Sequence, residues 1–199
     1  MSKLIDFESY PISPVLDRLL QDKTTKQNII FATDAYLENG PDFAETAQIT
    51  VDKLLGYMKI KIQPRVEKAA EEQLARTRKK AEVFTPSWIV NKMNNHCDEE
   101  WFGRPNVFNT ETGTSWVTSS APITFDRKLS WKGYVDSKRL EITCGEAPYI
   151  VSRYDAATGD IIPIKDRIGI LDRKLRVVSE NAADDAEWLK WAERALQSS

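Results

Sequence analysis

One segment, residues 138–149 with the sequence Lys-Arg-Leu-Glu-Ile-Thr-Cys-Gly-Glu-Ala-Pro-Tyr, constrains the fold of this chain more than any other. Its apolar residues lead into a Cys-Gly turn, and a second apolar run begins at Tyr149, which predicts a strand over residues 140–143, a tight turn and a helix. Gly145 lets a ligand approach backbone N–H groups at the helix start, so an adenosyl or phosphate group fits there. Glu141 would face the same crevice from the strand's carboxyl end.

Two segments resemble the cofactor motifs of N6-adenine DNA methyltransferases, the modification subunits of restriction-modification systems. Residues 141–149, Glu-Ile-Thr-Cys-Gly-Glu-Ala-Pro-Tyr, resemble motif I, and residues 82–86, Glu-Val-Phe-Thr-Pro, resemble motif X. Ile142 stands where that family has Pro, and Ala147 where it has a second Gly. The resemblance implies S-adenosylmethionine as cofactor and DNA as partner, with other restriction-modification subunits as further partners. The cofactor-binding residues it implies are Phe84, Thr85, Pro86, Glu141, Cys144, Gly145, Glu146 and Tyr149.

The resemblance also implies an α/β fold. An incomplete Rossmann-like methyltransferase domain would occupy residues 81–199, after a mainly helical region over residues 1–80. We expect the Thr85-Pro86 turn to lie within about 15 Å of the Cys144-Gly145 turn, because both would contact one cofactor. Asp172 would bind ribose only if it ended a second strand. The apolar spacing around it instead predicts a helix over residues 166–180.

The catalytic half of such an enzyme is missing from this sequence. Methyltransferases of this family hold the adenine amino group with a Pro-Pro loop, motif IV, and no Pro-Pro dipeptide occurs in the 199 residues. No catalytic residue is therefore assigned, and we expect the chain alone to bind S-adenosylmethionine weakly or not at all and not to methylate DNA. Three interpretations follow: the N-terminal part of an adenine methyltransferase, a non-catalytic DNA-binding or assembly subunit, or an accidental resemblance in a mixed domain.

A basic segment precedes motif X and is the candidate DNA contact. The formal net charge of −2 gives no overall attraction to nucleic acid, so phosphate contacts need a local patch. The alternative is a solvated helix whose last turn carries cations that suit its dipole. The candidate DNA-binding residues are Arg76, Arg78, Lys79 and Lys80.

Metal and membrane sites are not indicated. His96-Cys97 is a single pair, whereas closed zinc sites need four ligands, so we interpret Cys97 as a small buried thiol and predict no metal site. No apolar run approaches the roughly 18 residues of a membrane span, and the first residues lack a signal peptide's apolar core, so a cytoplasmic location is expected.

The remaining pattern predicts local structure. Thr85 should cap a helix with Pro86 at its first position, and Ile89, Val90 and Met93 should form its buried face, with Asn94 outside. The aromatic residues of the segment 98–136 should anchor it to the core, although flipped bases also stack on aromatics. A helix is expected over residues 148–154, and another over residues 184–196.

Overall fold

The computed structural model of the chain describes residues 6–57, 60–62, 84–126, 128–142 and 145–199. The chain divides into two compact units, Met1–Lys68 and Ala69–Ser199. The domain boundary predicted between residues 80 and 81 lies outside the described residues.

The first unit is built from short helices and irregular chain. Helix α1 spans Leu16–Leu20 and helix α2 spans Val51–Leu55. A 3₁₀ turn, Ser13–Val15, directly precedes α1, and two others, Leu37–Asn39 and Pro41–Phe43, lie between α1 and α2. The buried apolar side chains of this unit are Leu16, Leu20, Phe31, Phe43, Ile49, Leu54 and Ile60.

The second unit contains four helices and one hairpin within its described residues. In chain order these elements are α3 (Ser87–Phe102), β1 (Asn109–Thr112), β2 (Ser115–Thr118), α4 (Trp131–Asp136), α5 (Ile170–Asn181) and α6 (Asp185–Ser198). Strands β1 and β2 pair antiparallel, with Asn109 opposite Thr118 and Thr112 opposite Ser115. Gly113 adopts φ +62° in the two-residue turn, a conformation that favours glycine.

Aromatic side chains form the centre of this unit. Phe102 is 4% exposed, and its ring centroid lies 5.2 Å from that of Tyr134 and 6.0 Å from that of Phe108. Val177 and Val178 of α5 and Ala195 of α6 complete the same buried cluster. The prediction that the aromatic segment anchors itself to the core is confirmed, because these rings are buried against helices.

The two C-terminal helices follow the sequence pattern closely. Asp184 caps α6, accepting a hydrogen bond from the Glu187 N–H (2.8 Å), while the Glu187 carboxylate accepts one from the Ala183 N–H (3.0 Å). This reciprocal arrangement satisfies two of the N–H groups that a helix start leaves unpaired. The predicted helices at residues 166–180 and 184–196 are therefore confirmed, with α5 beginning four residues later, at Ile170.

The strand predicted over residues 140–143 does not form in its described part. Residues 140–142 have neither strand nor helix geometry, and Leu140 and Ile142 are 82% and 69% exposed. A strand needs a neighbour to pair its N–H and C=O groups, and β1 and β2 form the sheet of the described chain with each other. The helix predicted over residues 148–154 is also wrong, since that segment consists of turns and irregular chain.

The buried face of α3 is polar, which corrects the predicted apolar stripe. Val90 is fully buried as expected, but Met93 is 51% exposed, whereas Asn91 and Asn94 are buried. Asn91 and Asn94 can be buried because their side-chain amides have hydrogen-bond partners, and a paired amide avoids most of the desolvation cost. Periodicity alone cannot reveal such partners, since they come from distant segments.

A buried ion pair joins α3 to α5. Arg173 is 1% exposed and Asp98 is 2% exposed, and the guanidinium donates to the carboxylate at 2.5 Å. Arg173 also donates to the side-chain oxygens of Asn91 and Asn95, each at 2.8 Å, and the Tyr134 hydroxyl donates to Asp98 at 2.9 Å. Burial, together with the negative charge of Asp98, raises the pKa of Tyr134 well above its usual value. The tyrosine therefore stays a neutral donor.

Candidate cofactor site

Two described residues of the segments that resemble motifs X and I, Phe84 and Gly145, lie against each other. A Cβ built on Gly145 would sit 3.1 Å from Cε1 of Phe84 and 3.5 Å from its Cζ. Gly145 itself has φ +54°, which a side chain would strain. The expected proximity of the Thr85-Pro86 turn and the Gly145 turn is thus confirmed, although the two lie far apart in the sequence.

The Glu141 carboxylate binds the backbone of its own turn. It accepts hydrogen bonds from the N–H groups of Ile150 (2.9 Å) and Tyr149 (3.3 Å). The other acid of the motif, Glu146, accepts a hydrogen bond from the Tyr154 hydroxyl. Both carboxylates therefore have partners within the chain, and a ligand would compete with those partners.

Ala147 occupies a left-handed conformation in the same turn. Its φ is +50°, and its carbonyl accepts hydrogen bonds from the N–H groups of Ile150 (3.2 Å) and Val151 (3.0 Å). An L-residue in this region costs about 1–2 kcal/mol relative to glycine. Ala147 thus has a backbone conformation that favours glycine, at the position where the methyltransferase motif has a glycine.

Replacing Ala147 by Gly should raise the free energy of unfolding by about 0.5–1 kcal/mol. Relief of the strain exceeds the about 0.4–1 kcal/mol of unfolded-chain entropy that glycine adds. Urea unfolding of both proteins measures the difference. Ala157→Gly is the matched control, since Ala157 has no positive φ, and it should lose about 0.4–1 kcal/mol. A loss of stability in Ala147→Gly would contradict the prediction.

Helix α3 begins at a contact with a distant loop. Pro86 is the N-cap and no side-chain cap is made there, so the predicted capping role of Thr85 is wrong. The Ser87 N–H instead donates to Asp155 Oδ2 at 2.6 Å, while Oδ1 accepts from the N–H groups of Ala157 (2.8 Å) and Thr158 (2.9 Å). Burial acts to raise the pKa of Asp155, but these hydrogen bonds outweigh it and hold that pKa below its usual value.

Asn94 holds the chain that follows the Gly145 turn. Its amide N–H donates to the carbonyls of Tyr149 (3.0 Å) and Ile168 (2.9 Å). The Tyr149 carbonyl also accepts from the Ile170 N–H (2.8 Å), and the Ile150 carbonyl accepts from the Leu171 N–H (3.0 Å). The start of α5 is therefore bonded to the segment that carries Tyr149.

Asp172 has a structural role instead of the ribose contact considered above. It lies in the first turn of α5, and Oδ2 accepts from the Ser152 N–H (2.9 Å) and hydroxyl (3.2 Å). Burial raises the pKa of this carboxyl, while the Ser152 hydrogen bonds and Arg167 act in the opposite direction. Because Asp172 lies in a helix, the condition for a ribose-binding acid at a strand end is not met.

Some predicted residues cannot be placed in the site. Cys144 and the candidate DNA-binding residues Arg76, Arg78, Lys79 and Lys80 lie outside the described residues. Cys97 is exposed on α3, which corrects its interpretation as a buried thiol. In the part of the chain that the structure describes, no group of three or more His, Cys, Asp or Glu side chains could hold a metal ion.

Two residues of the site were missed by sequence reasoning. Asp155 belongs to Asp155-Ala-Ala-Thr-Gly159, and Asp before Thr-Gly is a signal for a turn stabilised by the Asp side chain. That signal predicts the loop but not the bond to Ser87. Asn94 gives no signal, because its two acceptors are backbone carbonyls of a remote segment.

The chain matches no protein family, characterised protein or solved structure at a significant level. Among the helices of the described residues, none is long and apolar enough to cross a membrane.

Proposed function

We propose that this chain is the N-terminal, cofactor-binding portion of an adenine-specific DNA methyltransferase of a restriction-modification system, with an incomplete Rossmann-like domain. The observation that carries the proposal is the contact between Phe84 and Gly145. A pocket for S-adenosylmethionine built from motifs X and I needs these two segments side by side, and a chance resemblance gives no reason for them to meet. When bound, the cofactor supplies the methyl group.

The residues of the chain would bind and orient that cofactor without transferring its methyl group. Phe84, Thr85 and Pro86 would form one wall, and the turn at Gly145 would form the other. Tyr149 would line the site as well, and its hydroxyl donates to the Met93 sulfur at 3.1 Å. DNA is the proposed partner through the basic segment that precedes motif X. Methyl transfer is not expected, because the chain contains no Pro-Pro loop to hold the adenine amino group.

Binding of S-adenosylmethionine should be weak, because the groups of the turn that could contact it already have partners within the chain. The carboxylates of Glu141 and Glu146 already accept hydrogen bonds from the chain, and the ring of Phe84 covers Gly145. Each charge-assisted hydrogen bond that a ligand cannot make lowers the affinity by roughly ten- to a hundredfold. We therefore expect a dissociation constant of about 1 mM, which corresponds to about −4 kcal/mol.

An amide NMR titration of the uniformly ¹⁵N-labelled chain with S-adenosylmethionine tests the proposal. Shifts should be confined to the amides of residues 84 and 85 and of 141–150 other than Pro148, and should be absent in Gly145→Asp. Gly113→Asp is the matched control, because Gly113 also has a positive φ but lies in the hairpin turn, and it should keep the shifts. No saturable shift at millimolar cofactor, or equal shifts in Gly145→Asp, would refute the site.

A further inference from the structure

A cavity of about 370 Å³ lies in the second unit, away from the Phe84–Gly145 contact. The hairpin contributes Asn109 and Thr118 to its wall, and α5 contributes Arg173 and Arg176. Trp188 of α6 also lines it. Its volume falls within the range of small-molecule sites, about 300–1,000 Å³.

Cationic side chains dominate the charged groups of the wall. Lys165, Arg167, Arg173 and Arg176 line the cavity, and among the described lining residues Asp172 is the one acid. Arg173 forms an ion pair with Asp98, and Arg176 forms one with Glu180 at 2.7 Å. The charges of these two arginines are therefore neutralised by acids that are not among the lining residues. Arg167 Nη1 lies 3.8 Å from Asp172 Oδ1, which makes an ion pair without a hydrogen bond. The two cations Lys165 and Arg167 thus face the one acid Asp172, and two positive charges minus one negative charge leave one positive charge for a ligand.

Two of these arginines carry buried N–H groups without an acceptor. The Nε atoms of Arg173 and Arg167 are buried and have no hydrogen-bond partner. Arg173 is 1% exposed as a whole residue, so bulk water does not compensate its donor. A buried unpaired donor costs about 1–3 kcal/mol, and more when it belongs to a charged group. A group that only accepts hydrogen bonds would remove this cost.

Arg176 is fixed in a position that supports such a ligand. Its Nη2 donates to the carbonyls of Ser119 (2.8 Å) and Ala121 (3.0 Å), in addition to the ion pair with Glu180. Trp188 is fixed as well, because its indole N–H donates to the Ser179 hydroxyl at 3.0 Å. The wall thus combines an arginine and an aromatic side chain that are both fixed by hydrogen bonds.

We propose that this cavity binds an oxyanion of the phosphate class, carried on an organic group that contacts Trp188. Phosphate oxygens accept only, and arginine suits planar recognition of such groups, so the Arg167 guanidinium, whose side chain is 25% exposed, is the first contact. The buried Nε donors gain an acceptor when their side chains turn toward the cavity. The cavity is larger than a bare phosphate requires, which leaves room for the attached group. A nucleotide has this combination of charge and aromatic surface. The proposal is independent of the cofactor function, since the two sites share no residue.

Calorimetric titration of the full chain with inorganic phosphate, adenosine monophosphate and a short DNA duplex tests the site and identifies the source of the phosphate. Adenosine monophosphate should bind more tightly than inorganic phosphate, and Arg167→Gln should weaken both by roughly ten- to a hundredfold. Binding of the duplex alone, lost in Arg167→Gln, would assign the site to nucleic acid. Arg194→Gln is the matched control, since Arg194 pairs with Asp136 on the surface outside this cavity.

A thermal unfolding series guards against a folding defect in the variant. Phosphate raises the Tm of many proteins nonspecifically. Specific binding is therefore measured as the amount by which phosphate raises the Tm of the wild type and of Arg194→Gln beyond the rise in Arg167→Gln. Equal rises in all three proteins, an equal loss of affinity in Arg194→Gln, or no saturable heat with any of the three ligands would overturn the proposal.

Discussion

Replacing Asp98 by Ala is expected to lower the free energy of unfolding by about 3–5 kcal/mol. The variant leaves the Arg173 charge buried without its counter-ion and removes the acceptor of the Tyr134 hydroxyl. Neither group can reach water, because Arg173 is 1% exposed and Tyr134 is fully buried. Urea unfolding at neutral pH, analysed by linear extrapolation, measures the loss.

The surface ion pair between Arg194 and Asp136 provides the control. Its side chains are 45% and 47% exposed, so Arg194→Ala should cost no more than about 1 kcal/mol. The double variant Asp98→Leu with Arg173→Met should recover part of the loss, since it removes both buried charges together. A cost below about 1 kcal/mol in Asp98→Ala would mean that the pair is not buried in solution.

Replacing Gly169 by Ala should lower the free energy of unfolding by about 3–5 kcal/mol. The added methyl would lie 2.4 Å from the Ile150 carbonyl oxygen and 2.6 Å from Asp172 Oδ2. Relief requires the backbone to move, and this breaks the bonds from the Ile170 and Leu171 N–H groups at the start of α5. Overpacking costs about 1–3 kcal/mol and each lost backbone bond about 1 kcal/mol.

Gly103→Ala is the control for Gly169→Ala, because Gly103 has a strained φ and open space where Gly169 has an ordinary φ and close neighbours. Gly169 has an ordinary φ of −64° in a crowded place, whereas Gly103 has φ +68° with no atom within 4 Å of its built Cβ. Gly103→Ala should cost only the conformational strain, about 1–2 kcal/mol. Amide exchange of Ile170 and Leu171 should accelerate in Gly169→Ala alone. Unchanged exchange there would contradict the steric explanation.

Sequence reasoning succeeded where the signal was local. Helix α6 followed from Asp184, Glu187 and an apolar stripe, because capping and periodicity act over a few residues. The proximity of the Thr85-Pro86 turn to the turn at Gly145 is not local, and it was predicted only because two motif resemblances implied one ligand.

Sequence reasoning failed where a residue depends on remote partners. The strand expected at Leu140 and Ile142 needs neighbouring strands, and local β-propensity does not supply them. Asn94 was expected outside α3 because it is polar, yet two backbone carbonyls of another segment pair its amide. The Thr85 cap failed for a similar reason, since Asp155, which is distant in the sequence, accepts the hydrogen bond from the first N–H of the helix.

Helix α3 is hydrogen-bonded to the chain segments on both sides of the candidate site. Asp155 holds its first N–H, and Asn94 in its middle holds the carbonyl of Tyr149. The backbone on both sides of Phe84 and Gly145 is therefore held in place, whereas the Phe84 ring fills the space against Gly145. A ligand that enters between them must first displace this ring. Its association rate would then be limited by how often the ring turns away, and not by movement of the backbone.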